Sequence, residues 1–168
     1  MAMKFTTHRS ITRRANARRG FTLVEIMIVV VIVGVLAALA LPSVQLLREN
    51  SRNAAVMNDL RVFTNAFSAY NMESGEWPDD RMPGVFPPEM DGWLSQNRFT
   101  RETPLGGLYD WDPASSGSKP AGTTTVITVR GYTVPDAQIV RLIERYDDGS
   151  ADTGRLRSRG GDLFYVIE

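Results

Sequence analysis

Arg19-Gly20-Phe21-Thr22-Leu23-Val24-Glu25 opens the run FTLVEIMIVVVIVGVLAALAL, Phe21 to Leu41, in which only Thr22 and Glu25 are polar. At a rise of 1.5 Å per residue this run makes a helix of about 31 Å, the thickness of a hydrocarbon core. A helix inside a small soluble domain keeps a polar face, and this one has none. It is therefore expected to span a membrane. Lys4, Arg9, Arg13, Arg14, Arg18 and Arg19 precede it, with no acid among residues 1–20. The positive-inside bias then expects the basic head in the cytoplasm and the body across the membrane.

Four readings fit such a segment. It could be a plain single-span anchor. It could be a secretory signal peptide cut after Ala38-Leu39-Ala40, although the apolar run is long for one and Pro42 follows badly. It could be a twin-arginine signal, from Arg13-Arg14 or Arg18-Arg19. The fourth reading starts from Glu25, because an acid inside a membrane span is costly and is a functional candidate by default.

Gly-Phe-Thr-Leu-Val-Glu followed by an uninterrupted apolar run resembles the class III signal of type IV pilin-like proteins, which include pilins and the pseudopilins of type II secretion. The resemblance implies a prepilin peptidase that cuts between Gly20 and Phe21 and methylates the new amino terminus. Glu25 then becomes the fifth mature residue, where the family carries its glutamate. Pro42 falls where the family often has a helix-bending proline. Gly75-Glu76-Trp77-Pro78 is similar to a short segment that follows the long helix in type II secretion pseudopilins. A cleaved leader over 1–20, a transmembrane and filament-core helix over 21–42 and an amphipathic helix with a globular domain over 43–168 are the expected parts.

The chemistry of the residues agrees. Cleavage after Gly20 removes all six leader bases and exposes an ammonium at Phe21, at the positive end of the helix dipole. Glu25 of an adjacent subunit is expected to pair with that ammonium, which would discharge two costly charges together and set the stagger between subunits. The alternative is a Glu25 that snorkels to the interface or is protonated.

Composition narrows the function further. Beyond residue 20 the chain holds thirteen bases and all nineteen acids, an acidic body unsuited to nucleic acid. There is no cysteine, and the single histidine is His8. Disulfides, thiolate chemistry, a Ser-His-Asp triad and a histidine metal site in the body are excluded.

After Pro42 the helical pattern turns amphipathic: Val56, Leu60, Phe63, Phe67 and Tyr70 form one apolar stripe, expected to face the core. Arg52, Asp59, Arg61, Asn65 and Ser68 are expected on the other faces. The helix should run from about Phe21 to Met72, with Pro42 as its bend. Seven of the nine prolines fall within 74–122, which reads as loop apart from a short helix from Pro87-Pro88 to about Leu94. Trp77, Trp93 and Trp111 are expected against the long helix. Strands are expected at 107–112, 123–130 and 163–167, the last pairing with the middle one. Asp136 is expected to cap a helix with Ile139, Leu142, Ile143 and Tyr146 on its apolar side. The fold class is α+β and pilin-like, a long N-terminal helix across a small antiparallel sheet.

Asp147-Asp148-Gly149-Ser150 with Asp152 forms an acidic turn. Its spacing does not complete an EF-hand loop. Some type II secretion pseudopilins bind calcium in a C-terminal loop, so the resemblance keeps calcium at Asp147, Asp148 and Asp152 beside a solvated turn balanced by Arg155, Arg157 and Arg159. No other cofactor is expected.

The functional expectation is a non-enzymatic structural subunit of a type II secretion pseudopilus. It sits in the bacterial inner membrane with its C-terminal domain periplasmic, and polymerises through its helix with identical or related subunits on an assembly platform. A type IV pilus subunit is the alternative. An anchored binding module that never polymerises is a further class. An anchored enzyme would have to use a carboxylate pair, such as Asp110 with Asp112 on one strand face. No phosphate-binding glycine loop is present to drive extraction from the membrane.

Overall fold

The computed structural model describes residues 20–114, 116–117 and 119–168. The basic leader up to Arg19 lies outside the described residues. The chain divides into two units, Met1–Pro42 and Ser43–Glu168.

In the first unit the described chain is the head of helix α1, which spans Leu23–Ser74. Its side chains from Leu23 to Leu41 are exposed, from Ile26 at 51% to Leu23 at 82%. Among the described residues α1 is the one helix long and apolar enough to cross a membrane. Pro42 lies within α1.

In the second unit the rest of α1 meets a four-stranded antiparallel sheet in the order β1-β2-β4-β3. The strands are β1 (Leu108–Asp112), β2 (Val126–Arg130), β3 (Leu156–Arg159) and β4 (Asp162–Val166). β4 pairs with β2, as the pattern led us to expect, with Thr128 opposite Phe164. β3 was not anticipated. Its sequence Leu-Arg-Ser-Arg lacks apolar alternation because it is an edge strand, paired with another strand on one side only. Two further helices complete the body, α2 (Gln96–Thr100) and α3 (Asp136–Tyr146).

The inner face of the sheet presents Tyr109, Trp111, Ile127, Val129, Leu163 and Tyr165 to the core. Onto it α1 lays Val56, Leu60, Phe63 and Phe67, all fully buried, with Tyr70 half-buried at the end of the stripe. Phe67 stacks on Trp111 at 4.0 Å, and Phe63 meets Tyr109 edge-on at 4.8 Å. Such aromatic pairs add about 0.5–1.5 kcal/mol each to what their burial contributes. Trp77 tilts against Trp111 at 5.4 Å, whereas Trp93 remains 37% exposed beside Tyr70. Gly107 enters β1 with φ +73°, and a Cβ there would come within 2.0 Å of the Arg130 carbonyl, so only glycine fits.

Several local expectations need correction. The short helix from Pro87 is a single 3-10 turn, Pro88–Met90, and the segment that extends the helical structure is α2, whose Phe99 is fully buried. Asp136 is the first residue of α3 and Pro135 occupies the cap position with no side-chain cap bond. Asp136 instead accepts the Tyr132 hydroxyl at 2.8 Å. Asp59 is not on a solvated face. It is 1% exposed.

Candidate assembly and processing site

The segment that decided the fold also builds the candidate site. Gly20 precedes the helix in an open position, where an added Cβ would meet nothing within 4 Å. Phe21 is 83% exposed. Thr22 stands at the N-cap of α1 and Glu25 at its third helical position. The two side chains exchange bonds: the Glu25 N–H donates to Thr22 Oγ1 at 3.2 Å, and the Thr22 N–H donates to Glu25 Oε2 at 2.8 Å. The Thr22 hydroxyl adds a third bond to the same Oε2 at 2.9 Å. This is a capping box, which satisfies backbone donors that a helix start leaves free. Thr22-Leu23-Val24-Glu25 carries the Thr-x-x-Glu signature, so the box is legible in the sequence beside the cleavage and subunit-pairing readings of the same residues.

Within a single chain, then, Glu25 is already partnered. Its carboxylate sits at the amino end of α1, where the helix dipole also favours an anion.

The acidic turn is differently employed. Asp147 Oδ2 accepts the Leu156 N–H at 2.7 Å, and the Ala151 carbonyl accepts the Ser158 N–H at 2.9 Å. Both donors belong to the outer edge of β3, so the turn covers that edge. Asp148 accepts the Ser150 N–H at 2.9 Å and the Thr153 hydroxyl at 2.7 Å. Those bonds hold its carboxyl below the usual range. Gly154, φ +71°, lies so close that a Cβ would fall 2.2 Å from Asp147 Oδ2. Asp152 contributes its backbone N–H to Ser150 Oγ at 3.3 Å. Among the described residues no group of three or more acids or histidines is gathered as a metal cage. The donor set does not fit calcium as it stands. Arg155 and Arg157 do not form ion pairs with the turn in the described structure: Arg155 lies over the Tyr165 ring and Arg157 donates to the Gly154 and Ala121 carbonyls.

Asp110 and Asp112 do share the outer face of the sheet. Both carboxylates bond to Arg130, from Nε at 2.8 Å and from Nη2 at 2.7 Å. They are 4% and 2% exposed. The arrangement is an ion-paired brace within the sheet, with both carboxylates buried.

Residues 15–41 match the prokaryotic N-terminal methylation motif. Type II secretion system core protein G of Klebsiella michiganensis is 31% identical over 109 residues, covering 57% of this chain and 74% of that one. The chain belongs to this family of pilin-like secretion proteins. Type IV major pilin protein PilE1 of Neisseria gonorrhoeae is 36% identical over 74 residues, 44% of this chain and 35% of the pilin. The solved structure of the major type IV pilin PilA1 from Clostridium difficile aligns at 18% identity with a TM-score of 0.47, over 71% of this chain and 96% of that one. As a core protein G relative, the chain has its methylation motif on the Gly20–Glu25 segment just described. It is a membrane-anchored pilin-like subunit, and its apolar helix is the part that the motif introduces.

Proposed function

We propose that this chain is a structural, non-enzymatic subunit of a type II secretion pseudopilus. The observation that carries the reading is a methylation motif over residues 15–41 at the head of an exposed apolar helix, in a chain that matches core protein G well beyond the motif. A prepilin peptidase cuts after Gly20 and methylates Phe21. The small glycine leaves the scissile carbonyl accessible. The mature helix first anchors the subunit in the inner membrane, with the body periplasmic. It then packs among identical or related subunits on the assembly platform. A uniformly apolar surface suits both settings. Pro42 is a weak point in this helix, because it has no N–H to donate to the preceding turn.

Glu25 has two partners in succession in this reading. In the membrane it belongs to its own capping box with Thr22. In the filament its carboxylate meets the Phe21 ammonium of the next subunit. The matched pilin favours a type IV pilus as the second reading. The experiment that separates them is complementation of a strain lacking core protein G. Restored export of the secreted enzymes supports the pseudopilus, whereas surface pili without restored export point to the pilus. Mass spectrometry of the mature chain should show an N-methylated Phe21, and Gly20→Val should leave the leader attached.

A further inference from the structure

Charge is concentrated on the outer face of the sheet, away from α1. Arg130 on β2 is its hub. Nε donates to Asp110 Oδ2 at 2.8 Å, Nη2 to both Asp112 oxygens at 2.7 and 2.8 Å, and Nη1 to Asp162 Oδ2 at 3.0 Å. One guanidinium thus faces three carboxylates, two from β1 and one from β4. Asp80, in the loop before the 3-10 turn, adds a fourth acid: burial and the repulsion of Asp112 raise its carboxyl. Arg159 on β3 stands opposite Asp162, and three further cations have partners of their own. Arg81 pairs with Asp79 and Glu89, Lys119 holds the Pro113 and Thr124 carbonyls, and Arg157 holds those of Gly154 and Ala121.

The acids are unequally provided for. Asp112 also accepts the Thr128 hydroxyl at 2.6 Å and the Ser116 hydroxyl at 2.7 Å. Asp162 also accepts the Gly131 N–H at 2.8 Å. Asp110 has Arg130 alone. Its Oδ1 is buried and accepts no hydrogen bond. An anionic oxygen buried without a donor is a costly arrangement, and a proton relieves it.

We propose that Asp110 is a proton switch in the brace of β1, β2 and β4: ionised at neutral pH, where it loosens the body, and protonated in mild acid, where it tightens it. Burial pushes its carboxyl up to about 6, and the repulsion of Asp112 and Asp80 acts in the same direction against Arg130. An unfolded aspartate titrates near 3.8. The folded chain therefore holds the proton more tightly. The resulting stabilisation is fully present below pH 3.8 and is lost as pH rises through about 6. Asp59, Glu49 and Asp148 have lowered carboxyls, so their contributions fail only at more acidic pH. The interval between belongs to Asp110, with Asp80 acting in the same sense.

The test is urea unfolding of the full chain in detergent micelles, followed by tryptophan fluorescence, at about pH 5 and pH 7.5. A one-proton difference changes the folding constant by about tenfold per pH unit across the window. The wild type should therefore fold about tenfold more favourably at the lower pH, and Asp110→Asn should abolish most of that difference. Equal pH dependence in the two proteins overturns the proposal. If Asp110→Asn does not fold, infrared titration of the wild type decides: a protonated carboxyl band disappearing near pH 6 supports the switch, and no titrating band above pH 5 refutes it.

Discussion

The hydroxyl of Tyr109 donates to Oδ2 of Asp59 at 2.8 Å, joining the first strand to the long helix across fifty residues of chain. Arg101 Nη2 reaches the same oxygen at 2.6 Å and Arg98 Nε reaches Oδ1 at 2.8 Å. A carboxylate 1% exposed is thus held by one phenol and two guanidinium groups. Burial opposes its ionisation, but the three hydrogen bonds outweigh that and hold its carboxyl below the usual range. Burial also drives the Tyr109 hydroxyl upward, helped by its bond to Asp59, so that it remains a donor.

Asp59→Ala should destabilise the body by about 3–5 kcal/mol, because it leaves the Tyr109 hydroxyl buried and α2 without its anchor. The two arginine side chains, 31% and 52% exposed, can turn to water, which favours the lower end. Since the folded carboxyl lies below its ordinary value, this stabilisation is present above about pH 4 and is lost as pH falls further. Urea unfolding at pH 7 and pH 3 checks both statements. A variant as stable as the wild type at pH 7 would show that the anchor contributes nothing.

Phe63→Ala tests the stripe. Phe63 is fully buried and touches the rings of Phe99 and Tyr109 at centroid distances of 5.4 and 4.8 Å. Removing it should cost about 3–5 kcal/mol. An unchanged melting temperature would mean that the helix face is not in the core.

Glu25 and Thr22 can be separated by assembly. Loss of the capping box by Thr22→Val costs about 1 kcal/mol of helix stability. Loss of a buried partner by Glu25→Ala costs about 3–5 kcal/mol if Glu25 meets the Phe21 ammonium of the next subunit. Filament yield should therefore collapse in Glu25→Ala and fall only modestly in Thr22→Val, with mature protein abundant in both. Equal yields in the two variants would leave the capping box as the whole role of Glu25.

Calcium provides the last test. Asp147 and Asp148 already spend oxygens on Leu156, Ser150 and Thr153, so an ion would have to displace those donors. Neither millimolar calcium nor a chelator should move the melting temperature. A clear rise with calcium, abolished by Asp148→Asn, would establish a site at Asp147, Asp148 and Asp152.

The anchor, the cleavage motif, the aromatic stripe and three of the four strands were legible in the sequence because each is a local pattern. An apolar run is long or short, a heptad-like stripe has a period, and a β-branched alternation such as TTTVITVR shows its face directly. Only the tertiary structure decided the fate of the charges. Asp59 sits at a helix position that reads as solvated, and it is buried because Arg98, Arg101 and Tyr109 arrive from about forty to fifty residues away. Asp110 and Asp112 alternate onto one face in the sequence, but Arg130 can pair with both only once β1 lies antiparallel to β2. Arg130 reaches Asp162 only after β4 has joined them. β3 was invisible for the same reason: an edge strand of Leu-Arg-Ser-Arg has no burial pattern of its own, and its donors are satisfied by Asp147 and Ala151 from a turn that has to fold back onto it. Hydrophobic burial follows composition and spacing, which a chain carries in order. The pairing of buried charge depends on which distant atoms meet, and the order of residues does not record that.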